Sequence, residues 1–183
     1  MALGLAGTLQ ANQITGGLHM TGVATLDNAD LGSATQATAF AGVTTQPLTA
    51  SGSYFGILQD TVTFKPFSWN PSSAPINTLW SFADAGTGWT YTFDLATLSV
   101  ASQSSSFLNI TGDGTLNITG SGSPYTATSG SWSFTISNPG GASNPTFNFG
   151  FDSANNALPD GGTTVLLLGA ALSGLALIRR KLA

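Results

Sequence analysis

The sequence predicts an all-β protein: a single antiparallel β-sandwich, jelly-roll-like, followed by a short C-terminal transmembrane helix. Three observations predict it. Apolar and polar side chains alternate through most of residues 13–151, polar breakers interrupt the alternation at short intervals, and no segment of the body sustains a 3.6-residue period. A strand turns successive side chains to opposite faces, so this is the pattern of half-buried strands.

The elements follow in chain order. Trp89, Tyr91, Phe93 and Leu95 fall on one parity, with Thr90, Thr92 and Asp94 on the other. Trp132, Phe134 and Ile136 alternate with Ser131, Ser133 and Thr135, and Phe147, Phe149 and Phe151 alternate with Asn148 and Gly150. Turn chemistry separates these runs at Asn70-Pro71-Ser72-Ser73, Asp84-Ala85-Gly86-Thr87-Gly88 and Asn138-Pro139-Gly140-Gly141. Between them, Leu108-Asn109-Ile110-Thr111-Gly112-Asp113-Gly114 is nearly repeated by Leu116-Asn117-Ile118-Thr119-Gly120-Ser121-Gly122. A hairpin at Gly112-Asp113-Gly114 would explain the repeat. Parity is kept right through it, however, and this favours one long strand bent or bulged at the glycines.

Composition narrows the function. Charged residues make up 7% of the chain, against about 25% in ordinary soluble domains. All eight acids are Asp, and three of the four strong bases, Arg179, Arg180 and Lys181, lie in the last five positions. Lys65 is the only strong base upstream, so no nucleic acid is expected as a partner, because phosphate neutralisation needs clustered cations. The chain has no Cys, which excludes disulfides and Cys-based catalysis, and one His, His19. No Gly-x-Ser-x-Gly elbow is present to hold a nucleophilic Ser. Asp94 is the best single candidate for glycosidic acid chemistry, but no partner carboxylate can be named for it. The expectation is therefore a protein without enzymatic activity or cofactor.

The two ends read differently from the body. Residues 165–178 are uncharged and apolar all round, and Arg179-Arg180-Lys181 stops them abruptly. As a helix the segment would be about 21 Å long, against a bilayer core of about 30 Å. It reads as a marginal span whose basic end lies in the cytoplasm, with the body outside. An outside body implies export. Residues 1–11 read as the remnant of a signal peptide, with an apolar run and a small-residue cleavage site but no basic region before it, as if the start codon were assigned too late. The domain reading is 1–11 signal remnant, 12–157 ectodomain, and 158–183 sorting signal, divided into motif 158–164, apolar helix 165–178 and basic tail 179–183.

A Pro-containing motif, a short apolar helix and a terminal Arg cluster together resemble the exosortase-sorted proteins of the PEP-CTERM group. Leu158-Pro159-Asp160-Gly161-Gly162 is closest to the VPDSG-type variant, with Leu158 where that pattern has Val and Gly162 where it has Ser. The resemblance implies that an exosortase, a membrane peptidase, recognises Pro159, Asp160, Gly161 and Gly162 and removes the helix. Pro and two Gly keep that segment out of regular structure, so that it can bind extended. It also implies a passage through the inner membrane to the cell surface or the extracellular space. Leu79 to Phe134, with Trp80, Phe82, Tyr91-Thr92-Phe93-Asp94-Leu95 and Gly130-Ser131-Trp132-Ser133-Phe134, resembles the ectodomain of a recurrent group of such proteins, which implies one β domain and no catalytic residue.

The expected role is structural, in the cell surface or a biofilm matrix; the alternative is a carbohydrate-binding module on exopolysaccharide. For the latter, Trp69 and Tyr125 lie beside Pro71 and Pro124 in loops and are the expected exposed glycan contacts. Asp27, Asn28 and Asp30 supply three oxygen side chains within four residues, a weak Ca²⁺ site of extracellular type if they converge, although Asx-rich turns also bond their own backbone. The polar stripe from Asn109 to Thr119, with Asp113 its one charge, is the expected surface for weak self-association, as an assembly edge or a flat contact.

Overall fold

A computed structural model describes residues 12–143 and 146–155. The strands are β1 (Asn12–Gln13), β2 (Gly16–Leu26), β3 (Gln36–Thr45), β4 (Thr63–Phe64), β5 (Phe67–Ser68), β6 (Ile76–Asp84), β7 (Trp89–Leu95), β8 (Ser99–Gln103), β9 (Phe107–Thr119), β10 (Tyr125–Thr126), β11 (Thr128–Ser137) and β12 (Thr146–Asn155). Two 3₁₀ turns, Pro47–Thr49 and Gly52–Tyr54, interrupt the connection after β3. The signal remnant 1–11, the motif 158–164, the apolar segment 165–178 and the basic tail lie outside the described residues. Within them, no helix is long and apolar enough to cross a membrane.

The all-β expectation holds, but the layering differs from two facing sheets. One antiparallel sheet runs β4-β6-β7-β9-β11-β12-β2-β3-β5, with β8 also on β9. It curls until its margins meet. Residues 61–62 bond β3 through the Thr44–Thr61 bridge and Val62 N–H to Val43 O, while Thr63 and Phe64 pair with Ser81 and Trp80 of β6. Curling encloses the aromatic face and leaves few open strand edges, which suits a chain with almost no charge to protect them. Register shifts between Thr21 and Val23, between Thr25 and Leu26, and between Ile76 and Trp80 mark where the sheet bends.

Alternation sets the core. Trp80 stacks on Phe93 with centroids 5.6 Å apart, Phe82 on Tyr91 at 4.6 Å, and Trp132 on Phe151 at 5.5 Å. Tyr91, Phe93, Trp132 and Phe151 sit on the inward parity read from the sequence, and burying such side chains is what stabilises a domain without disulfides.

β9 is one strand of 13 residues, so the repeat is not a hairpin. Its partner is what breaks. β7 pairs with residues 114–119 of β9 and β8 with 108–111, on the side away from β11. The chain crosses between them at Ala96 and Thr97, whose N–H groups donate to Asp113 O. A Cβ at Gly112 would sit 2.0 Å from Thr97 O, and one at Gly114 would sit 2.1 Å from Phe93 Cζ. The two glycines therefore admit a crossing carbonyl and a ring edge. Since β9 is paired on both sides, it is not an assembly edge; only its outer face is left for contacts.

The topology sorts the connections to two ends. The start of β2, the end of β12, the β6–β7 turn and the β9–β11 connection share one end, because Asn155 pairs with Gly16, Asp84 with Trp89, and Leu116 with Thr128. The β2–β3 connection, the Ser68–Ser73 turn and the Asn138–Gly141 turn share the other, through bonds such as Trp69 N–H to Thr35 O and Asn138 N–H to Ser106 O.

Candidate functional site

The outer face of the sheet carries a shallow polar groove. Register aligns Thr111, Ser133, Asp152 and His19 in one row across β9, β11, β12 and β2, and Asp113, Ser131, Ala154 and Gly17 in the next. Two hollows, of about 560 and 320 Å³, share Asp152 and Ala154 and make the groove continuous. Its walls are the crossing at Thr97 and Ser99 on one side and the 3₁₀ turn at Thr49 on the other. His19 Nδ1 and Asp152 Oδ1 lie 2.6 Å apart on its floor. The carboxylate fixes the ring and its tautomer. Hydroxyls and two carboxylates can bond a hydroxyl-rich ligand, but the groove offers no exposed aromatic face for stacking.

A second pair of acids lies at the end where β12 finishes. Asp84 is 1% exposed. Its Oδ1 accepts the Leu58 N–H at 2.9 Å and its Oδ2 the Thr87 N–H at 2.7 Å. Burial works to raise its pKa, but these donors, with the Thr87 hydroxyl and the Asp60 carboxyl, outweigh burial and hold it below the ordinary value. Asp60 is raised instead, by burial and then by the hydrogen bond and charge of Asp84. Two adjacent carboxyls ionise less readily than one, so of this pair Asp60 is the one that holds its proton to higher pH.

The other candidate residues fall into structural contacts. Asp94 Oδ1 accepts the Thr78 N–H at 2.6 Å and its Oδ2 the Asn117 Nδ2–H at 3.2 Å. Thr78 has φ 53°, a conformation costly for a β-branched residue, and Asp94 holds it at the β6 bulge. Asp27 accepts the N–H groups of Thr35 and Gln36 and the Thr35 hydroxyl, Asn28 accepts the Asp30 N–H, and Asp30 accepts from Gly32 N–H and Ser33 Oγ. Those bonds tie the β2–β3 connection. Burial raises Asp27, and the Thr35 and Gln36 donors bring it below the ordinary carboxylate value. Among the described residues no three His, Cys, Asp or Glu side chains converge as a metal site.

The expected exposure of Trp69 is corrected. It is only 6% exposed and donates its indole N–H to Ala34 O at 3.0 Å. The turn carrying Pro71 folds the ring inward against Phe67, so it cannot stack on a sugar. Tyr125 is half-buried, edge-on to Trp89 at 5.6 Å.

The described chain finishes in a buried anchor. Asn155 is fully buried; its Oδ1 accepts the Tyr54 hydroxyl at 2.6 Å and its Nδ2 donates to Thr128 O and Ser129 O at 3.2 Å. The segment carrying Tyr54 clamps the start of β2: Ser53 N–H donates to Thr15 O and Ser51 N–H to Gly17 O. Pro159 follows four positions after this anchor. Residues 159–182 match the VPDSG-CTERM motif, a sorting signal of PEP-CTERM type.

The chain carries a VPDSG-CTERM signal. Pro159, Asp160, Gly161, Gly162, Arg179, Arg180 and Lys181 lie inside the matched span, and Leu158 lies just before it. A VPDSG-CTERM signal marks an exported protein sorted by an exosortase in the membrane. No curated protein and no solved structure matches the chain.

Sequence reasoning missed the exposed apolar residues of the loop whose Tyr54 bonds this anchor. Leu48 is fully exposed, Phe55 is 83% exposed and Leu58 50%. The available signal was their place in a Gly- and Ser-rich stretch outside any alternating run.

Proposed function

We propose that this protein is a structural component of the cell surface or extracellular matrix, exported to the inner membrane and released or handed on when an exosortase cuts at its VPDSG-CTERM signal. The observation that carries this reading is the signal itself, placed four residues after Asn155, the buried last described residue. That arrangement gives a peptidase a segment rich in Gly next to a domain it need not unfold. Residues 165–178 hold the chain in the membrane until the cut, with Arg179, Arg180 and Lys181 on the cytoplasmic side. An exported reporter fused to residues 156–183 tests it. Surface delivery in a host with the exosortase, and retention in the inner membrane of a host without it, is the expected result; equal delivery in both hosts rejects the reading.

A second reading, glycan binding on exopolysaccharide, draws on the hydroxyl-lined groove with Asp113 and Asp152. Polar pairing without an aromatic platform fits a weak, hydroxyl-reading contact. Retention of the protein in an exopolysaccharide affinity gel, lost in Asp113→Ala and Ser131→Leu, supports it, and free migration of the parent protein removes it.

A further inference from the structure

We infer that the end of the curled sheet at which β12 finishes is a membrane-facing surface, and that Leu48, Phe55 and Leu58 seat it on the uncharged interface of a lipid bilayer. The inference rests on the reading of residues 165–178 as a membrane segment.

Three independent observations point to this surface. The first is exposure. Leu48, Phe55 and Leu58 are the most exposed large apolar side chains among the described residues, and all lie on one connection, while the next two, Val100 and Phe107, are 38% and 41% exposed on β8 and β9. Phe55 and Leu48 are held outward by backbone: Phe55 N–H donates to Gly52 O, and Leu48 lies in the Pro47–Thr49 turn beside β2. Phe55 follows Tyr54, whose hydroxyl is bonded to the anchor Asn155.

The second is charge. Of the connections that form this end, residues 46–62, 85–88 and 120–127, only the first carries a charged residue, Asp60, which is half-buried beside Asp84. Asp84 is buried beneath them, its oxygens taken by Leu58 and Thr87 N–H groups. The opposite end carries Asp27 and Asp30 in its loop. A rim of apolar and hydroxyl side chains, with the half-buried Trp89–Tyr125 pair beside it, has the make-up of an interfacial contact.

The third is reach. From Asn155 to Val165 an extended chain spans at most about 36 Å. A tether of at most that length, leaving from the apolar end, keeps that end within reach of the bilayer. Lipid with no net charge is the favoured occupant, because the body holds Lys65 as its only strong base and an anionic surface would repel its carboxylates.

The chain has no cysteine, so one introduced cysteine carries a polarity-sensitive fluorophore at a single place. Full-length Phe55→Cys and, as the far-end control, Ser72→Cys are labelled and reconstituted in phosphatidylcholine vesicles containing a lipid-borne quencher. Blue-shifted, quenched emission at position 55 and water-like emission at position 72 is the expected result. Adding Leu48→Asp lowers the lipid-buried fraction of the position 55 reporter roughly tenfold, and replacing part of the lipid with phosphatidylglycerol lowers it too. Flotation of the same samples separates the outcomes. A chain that floats while position 55 stays wet overturns this inference alone; a chain that does not float overturns the membrane-segment reading and this inference with it. A reporter that dries only in vesicles holding an exosortase shows that the rim docks on that enzyme, and the lipid assignment is then wrong.

Discussion

The Tyr54 hydroxyl donates to Asn155 Oδ1 at 2.6 Å across 101 positions of sequence. This bond joins the loop that clamps β2 to the last described residue before the sorting signal. Burial pushes the Tyr54 hydroxyl far above its ordinary pKa, so it stays a donor at any pH the protein meets.

Tyr54→Phe leaves the buried Asn155 Oδ1 without that donor. A loss of about 1–3 kcal/mol is expected, measured by urea denaturation. Unchanged stability would mean that the bond does not hold the exit.

Asp60→Asn tests the carboxyl pair. The folded-state pKa of Asp60 is raised, so the folded protein holds this proton to higher pH than the unfolded chain does. Its ionisation therefore costs stability as pH rises above its ordinary value of 3.8, through to the folded pKa. Asn cannot ionise, and its amide can still donate to Asp84. Thermal unfolding should show Asp60→Asn gaining on the parent as pH increases through that window. A difference independent of pH contradicts the raised pKa of Asp60.

Asp94→Ala removes the acceptor for Thr78 N–H while Thr78 keeps its left-handed backbone. The expected cost is about 1–3 kcal/mol, and Thr78→Gly in the same background should restore part of it. If Asp94→Ala were neutral, the bulge would be held by the sheet alone.

Gly114→Ala drives a methyl into the Phe93 ring edge. A loss of about 1–3 kcal/mol is expected, partly relieved by Phe93→Leu. Full stability in Gly114→Ala would show that both the Phe93 ring and the Asp94 carbonyl, 2.5 Å from the added methyl, can give way.

Much of this fold was legible because alternation reports burial directly. Trp89 to Leu95 and Trp132 to Ile136 are strands with the faces their parity assigned, and unbroken parity through Gly112 and Gly114 fixed β9 as one strand. Closure of one sheet on itself was not legible, since it depends on residues 60–64 pairing on both sides, and two-residue pairings leave no periodic trace. Trp69 misled because proximity to Pro71 marks a turn but not the side of the chain on which a ring lies. The His19–Asp152 pair joins residues 133 positions apart and follows only from the β2–β12 register. The tail was the most legible part, because its motif, apolar run and basic end are local and follow one another in sequence. The apolar rim was hidden for the opposite reason: exposure of Phe55 is set by the fold around it.

The most direct test of the central claim is the intact mass and fractionation of the protein made by a host that has the exosortase. A product ending within or just before the Pro159–Gly162 segment, recovered off the inner membrane, is the predicted result. A full-length mass retained in that membrane would contradict it.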